Sequence, residues 1–178
     1  MNQHLIPETI ECARRDFPAA VFHHFELMRG TPRDPELGAP DPDVVRGAMP
    51  EVLRHWEGYR RFYGSGLRNR LARAAKARLM DLYLDLARGE NRMPACHVYD
   101  THLVLYETGK IAFCELTDPI GDVRDKDLPE ILAGAEAARR KSMIAGGCTC
   151  THSCFQPTNL AHSPREVLRV FDNAMRSW

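Results

Sequence analysis

The positions of the cysteines constrain this chain more than any other feature of its sequence. Five of its six cysteines lie in the second half of the 178 residues, and they form two groups. Cys96 and Cys114 bracket a stretch that is typical of a β-hairpin. The second group follows a helix and two glycines, and it consists of Cys148, Cys150 and Cys154. Thiolates drawn from distant parts of a chain are the ligands that an iron–sulfur cluster or a structural zinc ion needs.

Charge and hydropathy limit the partners and the compartment. Lysine plus arginine (24) equals aspartate plus glutamate (24), so the formal net charge is zero and no nucleic-acid partner is expected. The first ten residues lack the apolar core of a signal peptide, and no apolar stretch has the length of a membrane span. We therefore expect a cytoplasmic protein without a membrane partner. Clustered cysteines in that reducing compartment favour metal binding over disulfides.

The first half of the chain is dominated by helical patterns. We predict helices over His4–Phe17, Asp43–Tyr63 and Leu67–Gly89, with Pro50 kinking or dividing the second. A short apolar run, Ala19–Met28, is typical of a buried strand. The third helix carries a basic run that we interpret as a solvated face, formed by Arg68, Arg70, Arg73, Lys76 and Arg78.

The second half has a different character. His97–Tyr106 and Ile111–Leu116 are predicted as the strands of the hairpin, and 119–122 as a further turn. Helices are predicted over Asp127–Lys141 and Pro164–Met175, the last with Ser163 and Glu166 as a capping box. The fold class is therefore α+β. We divide the chain into a helical part (1–90), a cysteine-bearing part (91–162) and a C-terminal helix (163–178).

The chemistry of the cysteines leaves three alternatives open. A 4Fe–4S cluster takes four thiolates, and five are available. Structural zinc is the second alternative, with His152 as a possible fourth ligand. However, Cys148 and Cys150 are closer together than the cysteines of a zinc knuckle. Ordinary buried thiols are the third. In an iron–sulfur site, His152 is a candidate for a hydrogen bond that tunes the cluster.

The pattern also resembles a known family over residues 94–160. Its motifs are Cys96-x12-Gly109-x4-Cys114, then Ile120-Gly121-Asp122, and then Cys150-Thr-His-Ser-Cys154. Together they are similar to the auxiliary-cluster domain, called SPASM or twitch, at the C-terminal end of radical S-adenosylmethionine (radical SAM) enzymes. More weakly, Phe25–Pro35 resembles a late strand and loop of the barrel in such enzymes. The family pattern differs slightly at the second motif, where Ile-Gly-Asn is usual.

The resemblance implies a fold and a ligand set. The first half would be the end of a partial α/β barrel, and the second half would bind one auxiliary 4Fe–4S cluster. The implied ligands are Cys96 and Cys114 with Cys150 and Cys154, and Cys148 is the alternative to either of the last two. Such a cluster orients a peptide or small-molecule substrate, or relays electrons.

One motif of the family is missing. The catalytic cluster of radical SAM enzymes is held by Cys-x3-Cys-x2-Cys, and here Cys12 stands alone. We therefore expect a C-terminal fragment that cannot cleave SAM by itself and that would use SAM only with a barrel supplied by a partner. The alternative function is a zinc-stabilised, non-catalytic interaction module.

Overall fold

The computed structural model describes residues 3–20, 40–57, 66–152 and 154–176. These residues are mostly helical, with one small three-stranded antiparallel sheet, so the α+β class is confirmed. The predicted strand Ala19–Met28 and the last part of the predicted helix Asp43–Tyr63 extend outside the described residues. Within the described ranges, no helix combines the length and apolar composition of a membrane-spanning segment.

The first half builds a helical layer. A 3-10 helix, Gln3–Leu5, leads into α1 (Ile6–Asp16), and α2 (Pro42–Glu57) and α3 (Leu67–Ala87) follow. Helix α2 continues through Pro50 rather than ending there. Apolar residues at helical spacing face one another where α1 packs on α2 and α2 packs on α3. We call the resulting cluster the helical core; its most buried members are Val45, Val52, Trp56, Leu82 and Leu84.

The second half contains the sheet. Its strands are β1 (Val104–Leu105), β2 (Lys110–Ala112) and β3 (Gly121–Asp122), in the order β1-β2-β3. The predicted hairpin is present, although its second strand ends at Ala112 rather than at Leu116, and Gly109 makes its turn with a φ of +82°. The stretch predicted as a second turn instead adds β3, because the backbone N–H of Ile120 donates to the carbonyl of Ile111 at 2.7 Å.

The beginning of the predicted first strand is wrong. Residues 98–101 form a helical turn, α4 (Val98–Thr101), before β1 begins. The hydroxyl of Thr101 donates to the carbonyl of His97 at 2.8 Å. Such a local bond offers the backbone an alternative to strand pairing.

Two helices replace the single helix predicted over Asp127–Lys141. They are α5 (Leu128–Ala133) and α6 (Ala135–Ala145), separated by Gly134 in an extended conformation. Both pack with the sheet around a second apolar cluster. We call it the hairpin core; its most buried members are Val98, Phe113, Ala137 and Ile144.

The last two helices return to the first half. These are α7 (Gln156–His162) and α8 (Pro164–Arg176), and both pack on α3. Leu160, Val170 and Ala174 join the helical core. Helix α7 also touches α4, which belongs to the other half. The cysteine loop between α6 and α7 therefore runs from the hairpin core to the helical core.

Part of the basic run on α3 belongs to this contact, so the interpretation as a solvated face is wrong for Arg70 and Arg78, whereas Arg68 is exposed. Arg78 donates to Glu166 at 2.6 Å, and the two side chains are only 12% and 5% exposed. Arg70 donates to the carbonyl of Ala174 at 2.9 Å. The ammonium of Lys76 lies 5.0 Å from the ring centroid of Trp56, and burial lowers the pKa of Lys76 to about 8.

The carboxylate of Glu166 is the acidic partner in the ion pair with Arg78. Burial alone would raise the pKa of its carboxyl group, but hydrogen bonding to Arg78 and the charges of Arg78, Arg169 and Arg165 outweigh burial and lower it. The carboxylate also accepts a bond from Arg169 at 2.9 Å. The acidic residue of the predicted capping box thus joins α8 to α3.

We expect Glu166→Gln to reduce the free energy of unfolding at pH 7 by about 3 kcal/mol, because Arg78 would stay buried without its counter-ion. The pKa of Glu166 is lowered in the fold, so the stability it adds is present above its ordinary pKa of 4.5. That stability is lost as the pH falls through the lower folded value. Urea unfolding followed by circular dichroism should show the difference between the two proteins shrinking at acid pH.

Asp172→Asn is the matched control on the same helix. Asp172 pairs with Arg176 at 2.8 Å, but both side chains are more than half exposed (53% and 78%). Removal of an exposed pair should change stability by less than about 1 kcal/mol. Equal losses for the two variants would contradict a buried link between α3 and α8.

Candidate metal centre

The two hairpin cysteines are buried in the hairpin core. Cys96 is 9% exposed and lies just before α4, and Cys114 is 6% exposed and lies two residues after the end of β2. The backbone N–H of Leu116 donates to the Cys114 sulfur at 3.5 Å. The chain turns at this point, where the N–H of Thr117 donates to the Cys114 carbonyl at 3.0 Å. Local backbone geometry therefore fixes one sulfur of the predicted site.

The loop cysteines begin where α6 ends. The N–H of Cys148 donates to the carbonyl of Ile144 at 3.1 Å, and Gly147 redirects the chain with a φ of +124°. Cys148 packs against the hairpin core. Cys150 is half-buried and receives hydrogen bonds from the Gln156 side chain, at 3.0 Å on its carbonyl and 3.6 Å on its sulfur.

The electrostatics of these residues show that the two groups of cysteines meet. The pKa of Cys114 is raised to about 11, chiefly by burial; the hydrogen bond from the Leu116 N–H lowers it, and Cys150, Cys96 and Cys148 add to the rise. Burial also raises the pKa of Cys148, with contributions from Cys96 and Cys150. Cys96 and Cys150 therefore both lie near Cys114 and Cys148.

Cys154 differs from these four. It is exposed, and it is not among the thiols that shift the pKa of Cys114 or Cys148. Cys12 is exposed on α1, where its sulfur donates to the Asp16 carboxylate at 3.1 Å and this bond raises its pKa. The structure thus groups four of the five predicted ligands and leaves Cys154 on the surface.

The four thiols suit a soft metal by their chemistry but are not arranged as a finished coordination sphere. Among residues 3–20, 40–57, 66–152 and 154–176, no group of three or more histidine, cysteine or acidic side chains is in position to hold a metal ion. The raised pKa values of Cys114 and Cys148 keep these two sulfurs protonated at neutral pH. A metal would have to displace these protons and draw the sulfurs together.

His152 is buried beside this group. Only 1% of its side chain is exposed, and its Nε2 atom contacts the carboxylate of Glu115. Its ring packs edge-on against Phe155, with 4.6 Å between centroids. Among the described residues, neither ring nitrogen has a partner with hydrogen-bond geometry. Glu115 was not predicted as a site residue, although it follows Cys114 directly.

A pair of buried amides links the cysteine segments and was also missed by the sequence analysis. Gln156 and Asn159 are 2% and 1% exposed, and Asn159 donates to the Gln156 side-chain oxygen at 3.3 Å. Asn159 accepts from the backbone N–H of His97 at 2.7 Å, next to Cys96. We call Gln156 and Asn159 the amide relay. Their spacing of three residues on α7, directly after the cysteine loop, is the only signal in the sequence.

A groove of about 310 Å³ lies beside the hairpin. Phe113, the neighbour of Cys114, forms part of its wall together with Tyr99 and Leu132. Lys141 places its ammonium 5.6 Å from the centroid of the Phe113 ring. The groove thus offers apolar surface and a cation next to the cysteine group.

Comparison with known proteins identifies no similar protein. No protein-family model, no curated protein and no solved structure matches the chain. The site is interpreted from its own residues.

We expect the metal-free thiols to react with iodoacetamide at very different rates. Cys154 should react early because it is exposed; Cys12 is also exposed but should react more slowly because Asp16 raises its pKa, and Cys114 should react last. A pKa of about 11 instead of 9.0 lowers the thiolate fraction of Cys114 at pH 8 by about 100-fold. Peptide mass mapping over time gives the order.

Denaturation supplies the control for this experiment. In concentrated urea the rates should become similar, since the shift depends on the fold. If Cys114 in the native chain reacts as fast as Cys12, the thiol is not buried as described.

Proposed function

We propose that this chain binds one auxiliary 4Fe–4S cluster, as the C-terminal part of a radical SAM enzyme with a SPASM/twitch-type domain. The observation that carries the proposal is the burial of Cys96 and Cys114 in the hairpin core with Cys148 packed against it, and with Cys150 near enough to affect the pKa of Cys114 and of Cys148. Four sulfur donors in partly apolar surroundings match the ligand set of such a cluster. The motifs over residues 94–160 support the same family.

The proposed ligands are Cys96, Cys114, Cys148 and Cys150. Packing favours Cys148 over Cys154 as the fourth ligand, because Cys148 contacts the hairpin core and Cys154 is exposed. Both loop ligands then follow the glycines that end α6. Raised thiol pKa values make binding pH-dependent, since each sulfur must lose a proton.

When bound, such a cluster supplies a site for electron transfer or for anchoring a substrate. The residues of this chain would limit its access to water, because Cys96 and Cys114 are buried with Phe113. The N–H of Leu116 and the amide of Gln156 donate to sulfur atoms, which stabilises negative charge there.

The proposed substrate is a peptide or small molecule that occupies the groove at the hairpin. Tyr99, Phe113 and Leu132 would contact its apolar part, and Lys141 would attract a negative group. The protein would work in the reducing cytoplasm, without nucleic acid or membrane as a partner. SAM would enter only with a barrel that carries Cys-x3-Cys-x2-Cys, a motif this sequence does not contain.

A zinc-stabilised interaction module is the second candidate. The observation that favours it is His152, whose side chain is only 1% exposed and whose Nδ1 atom has no hydrogen-bond partner among the described residues, while Nε2 contacts the Glu115 carboxylate. Three of the thiols and this imidazole would make a Cys3His set, which is a common structural zinc site. Such a module would have no catalytic role.

Anaerobic reconstitution with iron and sulfide separates the two candidates. We expect a brown protein with broad absorbance near about 400 nm and about four iron atoms per chain. A colourless protein that keeps one zinc ion through dialysis would overturn the cluster and support the module.

Single cysteine variants test the ligand set. Cys114→Ser and Cys148→Ser should lose most of the bound iron, whereas Cys154→Ser should keep it, because the exposed sulfur is not in the group. Cys12→Ser is the control for the loss of a thiol elsewhere. Iron loss in Cys154→Ser together with retention in Cys148→Ser would reverse the assignment of the fourth ligand.

The reconstituted chain alone should produce no 5′-deoxyadenosine from SAM under a strong reductant. The reason is that reductive cleavage requires the cluster held by Cys-x3-Cys-x2-Cys. Chromatography of the reaction mixture, with a known radical SAM enzyme as positive control, measures the product. Detectable turnover would sink the assignment of an auxiliary role.

A further inference from the structure

Only one orientation of the two side-chain amides in the amide relay allows hydrogen bonds at both ends of the relay. The N–H of His97 can only donate, so Asn159 must present its oxygen there and its NH2 group to Gln156. The carbonyl of Cys150 can only accept, so Gln156 must present its NH2 group to Cys150. Reversal of either amide would set two donors or two acceptors face to face. The same orientation aims a donor at the Cys150 sulfur.

The position of the relay makes it an anchor. Both amides lie on α7, whose Leu160 is 4% exposed in the helical core. One end of the relay holds the backbone beside Cys96, and the other holds the backbone and sulfur of Cys150. Buried amides that lost these bonds would each destabilise the fold, since desolvation would no longer be offset. The relay therefore fixes the distance between two cysteine segments that are far apart in sequence.

We propose that Gln156 and Asn159 are positioning residues of the metal site. In the metal-free chain they hold the Cys150 loop against the Cys96 segment. In the loaded chain, the Gln156 amide donates to the Cys150 sulfur and raises the reduction potential of the cluster by stabilising its reduced, more negative state. The second part rests on the proposed function, and the first part does not.

Two variants of Gln156 test the metal-free part. Gln156→Glu keeps the shape, and Gln156→Met keeps the length without a donor. Both should raise the alkylation rate of Cys150 by about tenfold when the rate is measured at pH 10, where an ordinary thiol is ionised and access to the sulfur rather than its pKa limits the reaction. The rate at Cys12 should not change. Asn159→Ala should speed hydrogen exchange at the His97 amide by a similar factor.

Asn91→Asp is the matched control. Asn91 is exposed, and its side-chain oxygen accepts from the N–H of Met93 at 3.3 Å, a bond that aspartate can keep. This variant should alkylate and exchange like the parent. Circular dichroism melts confirm that each variant is folded before rates are compared.

The reduction potential of the loaded protein distinguishes this role from a purely structural one, which would leave the potential unchanged. Gln156→Met should reconstitute with a reduction potential more negative than that of the parent, and Asn91→Asp should match the parent. An unchanged potential together with an unchanged Cys150 alkylation rate would overturn the relay. If the Gln156 variants change the alkylation rate of Cys150 but the parent chain takes up no iron, the proposed function is refuted and the positioning role of the relay still holds.

Discussion

The packing of the last two helices on α3 is the constraint on which the cysteine site depends. The chain leaves the hairpin core at the end of α6 and must reach the helical core by the start of α7. The loop that makes this passage carries Cys148 and Cys150. Because buried apolar residues fix both of its ends, the loop can adopt only a small set of conformations. Its sulfurs are brought to the hairpin cysteines mainly by the packing of the apolar residues at its two ends.

Burial of thiols beside one another has an electrostatic consequence. Each sulfur raises the free energy of a thiolate at its neighbour, and the apolar surroundings add to this effect. Protonation of the thiols removes this repulsion between neighbouring thiolates, and so does a cation that the thiolates bind together. The same arrangement that keeps the metal-free site neutral is therefore the one in which a multiply charged metal group is most useful. The N–H groups directed at Cys114 and Cys150 stabilise the second state in particular.

Sequence patterns predicted correctly those structural features that depend only on residues close together in the chain. The α3 pattern and the turn at Gly109 are fixed by helical periodicity and by a positive φ, and both were found. Sequence patterns failed where distant partners decide the outcome. Arg78 looked like a solvated residue because its partner Glu166 lies 88 positions away. The amide relay escaped notice for the same reason, since its end at His97 is 62 positions from Asn159. The cysteine spacing alone could not distinguish Cys148 from Cys154, because only the burial of the loop separates them.

The passage of one loop between two cores also bears on how the protein unfolds. Among the described residues, contacts of α4 with α7, the amide relay and the stacking of His97 on His162 link the helical core to the hairpin core, and we expect each core to melt as a separate cooperative unit when no metal is bound. A metal group held by sulfurs from both the hairpin and the loop would bind only when both cores are formed. Its binding free energy would then be shared between them. Loading would convert two weakly linked units into a single cooperative one, and the number of unfolding transitions would report whether the site is filled.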